Sequence, residues 1–544
     1  MHQTRLKNGL LGLLLLGIVA ALYGQFLWNP IVFDDLYFFI PKADGSPGIS
    51  IYRFGLLELR SLPYATLAWT QAWLGPELIH FRVGNLLLHA AVALTLFAFL
   101  SAVFAAIYGE GGDENLSPRM VAFFAALLFA LHPVATYAAG YLVQRTIVMA
   151  TLFGLLSMLS YVHGSVRGKP FFLWLSVPFY YLAVFSKEHA VMLPAALLAL
   201  TLLLHSDWPL RLKQRWAVFT ALTLIALSVL LIRKGYLGSV YEIEAADMLQ
   251  KNASAQAYPL SVLTQSWLFF KYAMLWLFPN PAWISIDMRE PFARSLLSPY
   301  LLAALCFLAW GVGAFWLLLK RGRAGLLGFA LLFPWLMFFT EFSSVRIQEE
   351  FVLYRSYLWA PGAFCVLPLL ISKLPWRKAA MILGLGALML FGLSMERLMT
   401  MSRPLFIWDD AEKLVHDRPE LPGAYRIYYN RGTEFLSAGM LDKALADLKL
   451  AVALNKDFPE SYGNLGAAYF KTGDWKNAVS AFSTAIEVAH RGGKAVAPRI
   501  YFGRAQAYEK MGEIQKAQTD YQESCRLAQS GCDKVLAPVV STPR

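Results

Sequence analysis

Two carboxylates stand side by side in "NPIVFDDLYFF", residues 29–39, directly after the first long apolar run of the chain. A carboxylate in an aromatic, partly desolvated frame has its pKa pushed upward. That suits Asp34, or less readily Asp35, to take the proton from an acceptor hydroxyl. The plainer alternative is an acidic pair capping a helix at a membrane surface. Farther along, "LHPVATYAAGYLVQRTIVMA" supplies His132, Pro133 and Arg145, and "FSKEHAVMLP" supplies Lys187 and Glu188. "VRIQEEFVLYRSYLWAPG" supplies Arg346, Glu349, Glu350, Tyr354 and Arg355. Arg145, Lys187, Arg346 and Arg355 form a candidate cation set for a phosphate: planar guanidinium forks grip its oxygens in pairs and the ammonium adds a point charge. Each group by itself reads equally as an interface anchor reaching for water, and His132 before a proline as a donor to a freed carbonyl. Together on one side of a charge-poor chain they mark a functional path, because polar groups near membrane depth are costly. Carboxylates beside phosphate-seeking cations at a bilayer suit a lipid-linked phosphosugar.

The elements that must position these residues are membrane helices. The chain has 544 residues, 57% hydrophobic and 15% charged, where a soluble chain would carry roughly a quarter charged residues. Apolar runs of spanning length recur at 9–27, 84–106, 119–136, 144–163, 170–186, 189–204, 216–233, 298–319, 325–340, 357–372 and 378–396, giving an all-α polytopic protein of about 11 spans. The stretch 262–279 carries Gln265 and Lys271 in its apolar run and is expected to be re-entrant or interfacial. Lys and Arg fill alternate short loops, at Arg5 and Lys7, Arg167 and Lys169, Arg211 to Arg215, Lys320 to Arg323, and Lys373 to Lys378. Those loops are expected on the cytoplasmic side, with the N-terminus inside on an uncleaved first span and the C-terminus outside. The net charge of +12 follows from this topology rather than from a nucleic-acid-binding face. Every candidate chemical group then falls on the outer side.

From about Leu421 the composition turns soluble and helical. Gly432 and Gly466, Gly439 and Gly473, Ala444 and Ala478, Leu448 and Phe482, and Ala451 and Ala485 are each 34 residues apart. A third copy follows a short insertion with Ala505, Tyr508, Gly512, Ala517 and Tyr521. This is tetratricopeptide spacing, in which small residues allow close helix contact and aromatics fill the gaps. The domain expectation is 1–400 transmembrane, 401–420 linker, 421–530 repeats and 531–544 tail. Cys525 and Cys532 lie close enough to pair in an oxidising compartment, while Cys306 and Cys365 read as inert core residues. No Gly-rich phosphate loop, zinc spacing or nucleophile elbow is present, which argues against ATP or a nucleotide sugar as direct donor.

The series "FDD", "HFRVGNLLLHAAVALTLF", "LLFALHPVATYAAGYLVQR", "FSKEH" and a C-terminal repeat array resembles, in order and over nearly the whole chain, the transmembrane and tetratricopeptide-repeat protein O-mannosyltransferases of the GT-C superfamily. That resemblance implies a polyprenyl-phosphate sugar donor, a protein acceptor held by the repeats, and inverting transfer. It carries the acidic motif onto Asp34 and Asp35, the His-Pro onto His132 and Pro133, the arginine onto Arg145, and the Lys-Glu onto Lys187 and Glu188. Glu350 and Tyr354 match its late acidic element more loosely. Where the animal family usually has a second histidine and a glutamate, this chain has Ala135 and Tyr137, so a metal role has no residues to support it and a divalent cation stays an open question. The departures resemble a bacterial inner-membrane relative with an undecaprenyl carrier, whose sugar need not be mannose. The rival readings are transfer to an envelope glycan or lipid, and a non-catalytic membrane scaffold that works through its repeats.

Overall fold

In a computed structural model the described residues are 2–39, 48–109, 117–232, 256–347, 351–528 and 532–535. Glu349 and Glu350 lie outside them. The described residues are mainly helical, with an isolated bridge between Met288 and Phe351 and no strand among them. The chain divides into two units, Met1–Arg403 and Pro404–Arg544.

Among the described residues of the first unit six helices are long and apolar enough to cross a membrane, or up to eight if each of two bent pairs is one span. Three shorter apolar helices, Pro170–Ser186, Glu188–Leu204 and Ala360–Ile371, stand where further spans are expected from the sequence. Apolar side chains point outward all along these elements. On Pro299–Leu319, Leu302, Leu305, Leu308 and Val312 are all more than half exposed, an apolar surface suited to lipid. Cys306 lies on that outward surface rather than in a core, whereas Cys365 is buried. The helix Ala257–Leu277, within which 262–279 largely falls, is not among those apolar enough to span; it packs Phe269 edge-on against Phe307, Trp310 and Phe338.

The expected span 119–136 is not continuous. Pro118–Ala130 and Pro133–Ala139 meet at a bend of 66°. Pro133 has no N–H to continue the ladder and its ring excludes the preceding turn, so the chain restarts as a new helix with proline in its first position. Beyond this bend the stretch 140–143 meets Arg82, Asn85 and Asp35, where the site forms. An unforeseen helix, Ser61–Leu74, follows the first loop, with Trp69 and Trp73 stacked at 5.9 Å and Trp73 and Leu74 exposed.

The second unit is built of helix hairpins: Tyr425–Ser437 with Leu441–Leu454, Pro459–Lys471 with Trp475–Arg491, and Pro498–Lys510 with Ile514–Ala528. Gly439, Gly473 and Gly512 turn each hairpin at φ of +73°, +82° and +80°, a region most side chains avoid. A Cβ on Gly432 or Gly466 would come within 2.9 Å of Leu448 or 2.8 Å of Phe482, which accounts for the 34-residue recurrence of small residues. Arg431 with Asp447, and Arg504 with Asp520, bridge the first and third hairpins through two parallel N–H···O bonds each. The middle hairpin carries Leu465 and Ala481 at the equivalent positions and packs them in its core instead. Residues 404–415 of the stretch expected as a linker form a helix, Pro404–Val415, whose Glu412 pairs with Arg431. Cys525 and Cys532 are disulfide-bonded.

Candidate active site

The first loop is fastened from both ends. Arg82, one turn into the helix Leu78–Tyr108, donates from Nε to the Asn29 carbonyl at 2.8 Å, from Nη2 to Pro30 at 2.5 Å and from Nη1 to Gly140 at 2.9 Å. Asn85, on the same face, donates to the Tyr141 and Leu142 carbonyls and accepts from Arg145 Nε at 2.7 Å. At the far end Arg60 donates its backbone N–H to Phe185 O and its guanidinium to both oxygens of Glu188. Phe33 and Arg60 hold left-handed backbone, φ +51° and +63°, and lie at the two ends of this loop. Such conformations in non-glycine residues are sparsely populated and persist where surrounding contacts impose them, often at functional sites.

Asp35 is fully buried. Its carboxylate accepts the backbone N–H of Val143 at 2.8 Å and of Leu142 at 3.2 Å, the first turn of the segment that becomes the helix Arg145–Arg167. Burial pushes its pKa up to about 7, against the pull of those N–H groups and of the Arg82 charge. Asp34 is only partly buried, and its backbone N–H donates to the Tyr141 hydroxyl at 2.6 Å. Burial, with Asp34 and Asp35 beside it, holds the Tyr141 phenol well above its ordinary range. Tyr141 in turn meets Tyr354 edge-on at 6.2 Å, and the Lys187 ammonium stands 5.7 Å over the Tyr354 ring. Burial and the cations Arg60, Arg355 and Arg346 hold the Lys187 amine well below its usual value, opposed by Glu188. An anion arriving there would relieve that penalty.

The carboxylates, Tyr141, Tyr354, Lys187, Glu188 and Arg60 thus form one connected chain of contacts. Arg346 and Arg355 join it through a residue that the sequence reading missed, Glu341, which lies 3.0 Å from Arg355 Nη1, 3.5 Å from Arg346 Nε and 3.1 Å from His189 Nε2. The expected phosphate set therefore divides. Arg145 follows the turn whose N–H groups bind Asp35, but its guanidinium donates to Asn85, to the Phe81 carbonyl at 2.9 Å and to Thr66 at 3.3 Å. It faces a separate cavity of about 420 Å³ lined by Thr66, Trp69, Thr70, Trp73, Leu87 and Met149. His132 also stands aside. Its Nδ1 accepts from Val134 N–H, its Nε2 bonds the Trp276 carbonyl, and its ring stacks on Trp276 at 4.2 Å. The bond to a carbonyl is the plainer reading of this histidine, and its ring also caps the helix Pro133–Ala139. Among the described residues no three His, Cys, Asp or Glu side chains converge as a metal would require.

Arg82, Asn85, Arg60, Tyr141 and Glu341 were not singled out from the sequence. Arg82, Asn85 and His89 recur at helical spacing within an otherwise apolar run, and that buried polar stripe is the signal that would have found the first two.

Fold and site together define a polytopic helical membrane protein with acids and cations gathered in its loops, followed by tetratricopeptide repeats. Two repeat families match the second unit: Tetratricopeptide repeat over residues 457–530 and TPR repeat over 432–473. The homologues of the chain are TMTC protein O-mannosyl-transferases. It is 30% identical over 191 residues to Protein O-mannosyl-transferase TMTC1 of Homo sapiens, covering 30% of this chain and 20% of that one. It is 27% identical over 237 residues to TMTC4 of Mus musculus, covering 40% and 28%, and 33% identical over 150 residues to tmtc2 of Xenopus laevis, covering 27% and 15%. The chain therefore spans less than a third of the length of these relatives. All are vertebrate proteins, and the expected bacterial origin finds no support in them.

Proposed function

We propose that the chain is a membrane glycosyltransferase of GT-C type that moves a sugar from a polyprenyl-phosphate donor to a hydroxyl of a protein on the extracytoplasmic side. The names of its relatives support transfer to protein; the observation that carries the reading is the contact chain from the Asp34–Asp35 pair through Tyr141 and Tyr354 to Lys187.

Asp34 is the base, because it is the less buried residue of the pair; Asp35, sealed and held by two N–H groups, fixes the loop. The acceptor oxygen attacks the anomeric carbon and gives its proton to Asp34. The bond from that carbon to the lipid phosphate oxygen breaks on the opposite face, so configuration inverts and the polyprenyl phosphate leaves. Lys187, with Arg346 and Arg355, binds the phosphate more strongly as its charge grows, which lowers the barrier. Arg145 and the tryptophan-lined cavity receive the lipid beside it. Glu188 and Tyr354 position Lys187, and the repeats hold the acceptor protein near the membrane, raising its local concentration.

The test is a glycoproteomic comparison of cells carrying wild type or Asp34→Asn, together with a chain truncated at residue 421 offered a short acceptor peptide. Loss of protein glycosylation in the variant, with peptide transfer kept in the truncation, is expected. Unchanged glycosylation in Asp34→Asn would overturn the catalytic reading in favour of a scaffold.

A further inference from the structure

The helix Ser61–Leu74 and the stretch before it carry an apolar surface that the chemistry above leaves unexplained. The helix has 14 residues, none of them charged. Its inner face, Pro63, Ala65, Leu67 and Ala68, is buried, while Trp73 and Leu74 at its end are 77% and 60% exposed. Thr66 and Thr70 donate their hydroxyls to the carbonyls of Pro63 and Thr66 at 2.6 and 2.7 Å, inside the helix itself. A helix apolar on both sides belongs in an apolar medium. At about 1.5 Å per residue it is about 21 Å long, too short to cross a hydrocarbon core of about 30 Å. Just ahead of it Ile51, Phe54, Leu56 and Leu57 are exposed as well, Leu57 by 71%. Exposed apolar residues gathered this closely mark a contact surface.

The neighbours of the segment set its depth. Tyr181, more than one turn before the end of the apolar helix Pro170–Ser186, donates its hydroxyl to the Leu56 carbonyl, and the Arg60 N–H donates to the Phe185 carbonyl. Farther along, Trp69 and Trp73 share the cavity of about 420 Å³ with Leu87 and Met149. Leu87 lies more than two turns inside Leu78–Tyr108 and Met149 one turn inside Arg145–Arg167, both helices of spanning length. Residues 51–74 therefore stand alongside the ends of the spans rather than above them. Leu87, at the cavity wall, is exposed like Trp73 and Leu74, so the cavity opens onto the outward surface of the spanning helix.

We propose that residues 51–74 are seated in the bilayer leaflet nearest the carboxylates, with Leu57, Trp73 and Leu74 against lipid, and that the cavity beside Arg145 opens sideways into that leaflet. Lipid is the occupant, rather than a protein, because the surface continues the outward apolar face of Leu78–Tyr108 and lies at its depth; tryptophan at such a level is also typical of a membrane boundary. The seat does not depend on which donor or acceptor the chain uses. The experiment places the full chain in phospholipid nanodiscs with the exposed Cys306 changed to Ser and a nitroxide label on Leu57→Cys or Leu74→Cys. Collisions with oxygen, which concentrates in lipid, are compared with collisions with a nickel chelate, which stays in water. Leu305→Cys on the outward face of Pro299–Leu319 serves as the lipid reference and Lys456→Cys in the repeats as the water reference. The oxygen-to-nickel ratio at both loop positions is expected to exceed that at Lys456 several-fold and to approach that at Leu305. A ratio like that of Lys456 at either position would overturn the seat and leave a water-facing surface for a protein. A second measurement needs no label: Leu57→Asp and Leu74→Asp are close to neutral on a water-facing surface but costly against lipid. Both are expected to lower the melting temperature in nanodiscs, and unchanged melting in both would equally overturn the proposal.

Discussion

Arg82 offers the sharpest perturbation of the loop that bears the carboxylates. Its guanidinium is buried and gives three hydrogen bonds to the carbonyls of Asn29, Pro30 and Gly140, while its charge acts on Asp35. Arg82→Met keeps the bulk and removes all three donors, leaving buried carbonyls unpaired. With charged hydrogen bonds worth about 1.5–3 kcal/mol each and some carbonyls finding water, the local loss is on the order of 3–6 kcal/mol. That loss falls on the seam between the first loop and residues 140–143, not on the helix bundle. The amides of Leu142 and Val143, held by Asp35, report on the seam directly by hydrogen exchange. Their exchange is expected to speed up by roughly 10²–10⁴, at about 1.4 kcal/mol per tenfold, with the overall melting temperature little changed and sugar transfer lost. Arg82→Lys keeps the charge beside Asp35 but not the planar three-way clamp, so it should recover only part of the protection. Unchanged exchange at both amides in Arg82→Met would refute the clamp and the positioning built on it.

The Asp35 carboxyl, raised from an ordinary 3.8 to about 7 by burial, keeps its proton in the folded chain after the unfolded chain has lost its own. Its contribution to stability is therefore full below about pH 4 and lost as pH rises through about 7; melts at pH 5 and pH 8 should show a decline that Asp35→Asn removes. Gly84→Ala would place a Cβ 2.7 Å from Arg145 Nη2, displacing that guanidinium from the tryptophan-lined cavity. Transfer should fall in this variant while the helix Leu78–Tyr108 stays folded; full activity would remove Arg145 from the mechanism. The Cys525–Cys532 disulfide places the second unit in an oxidising compartment on this reading. Alkylation of freshly lysed cells before reduction should leave both cysteines unlabelled, and labelling of either would contradict the outward orientation.

Much of the architecture was legible because the bilayer and the 34-residue repeat each impose a period that survives without tertiary information. The bend at Pro133 was legible in principle, since proline stops a helix, but an apolar run conceals it when hydropathy alone sets the boundaries. The acidic pair, Lys187, Glu188 and Tyr354 were found as candidates because charged and aromatic residues stand out at span ends. Their mutual contacts were not legible, since these depend on how three loops fold over one another. Arg145 shows the limit clearly. Its place at the start of a span, among the other loop cations, suggested a shared phosphate site, yet its side chain turns toward Asn85 and Phe81. Glu341 was passed over because it reads as part of a polar loop, and only the fold shows it serving Arg346, Arg355 and His189 together.

The two adjacent carboxylates are best understood as unequal partners. In a tight turn successive side chains diverge, and the left-handed backbone at Phe33 sets that turn immediately before them. Asp35 turns inward, where two N–H groups take its oxygens and Arg82 offsets its charge; a group so enclosed cannot reach an acceptor hydroxyl. Asp34 remains at the edge with its backbone bound to Tyr141, so its position is fixed through the main chain while the residue is only partly buried. A base needs both properties, since a mobile carboxylate would lose the advantage of orientation and a buried one would never meet the substrate. On the proposed reading Asp35 acts on the chemistry through its neighbour. Replacing it should shift the placement of Asp34 and raise KM and lower kcat together, whereas replacing Asp34 should lower kcat alone.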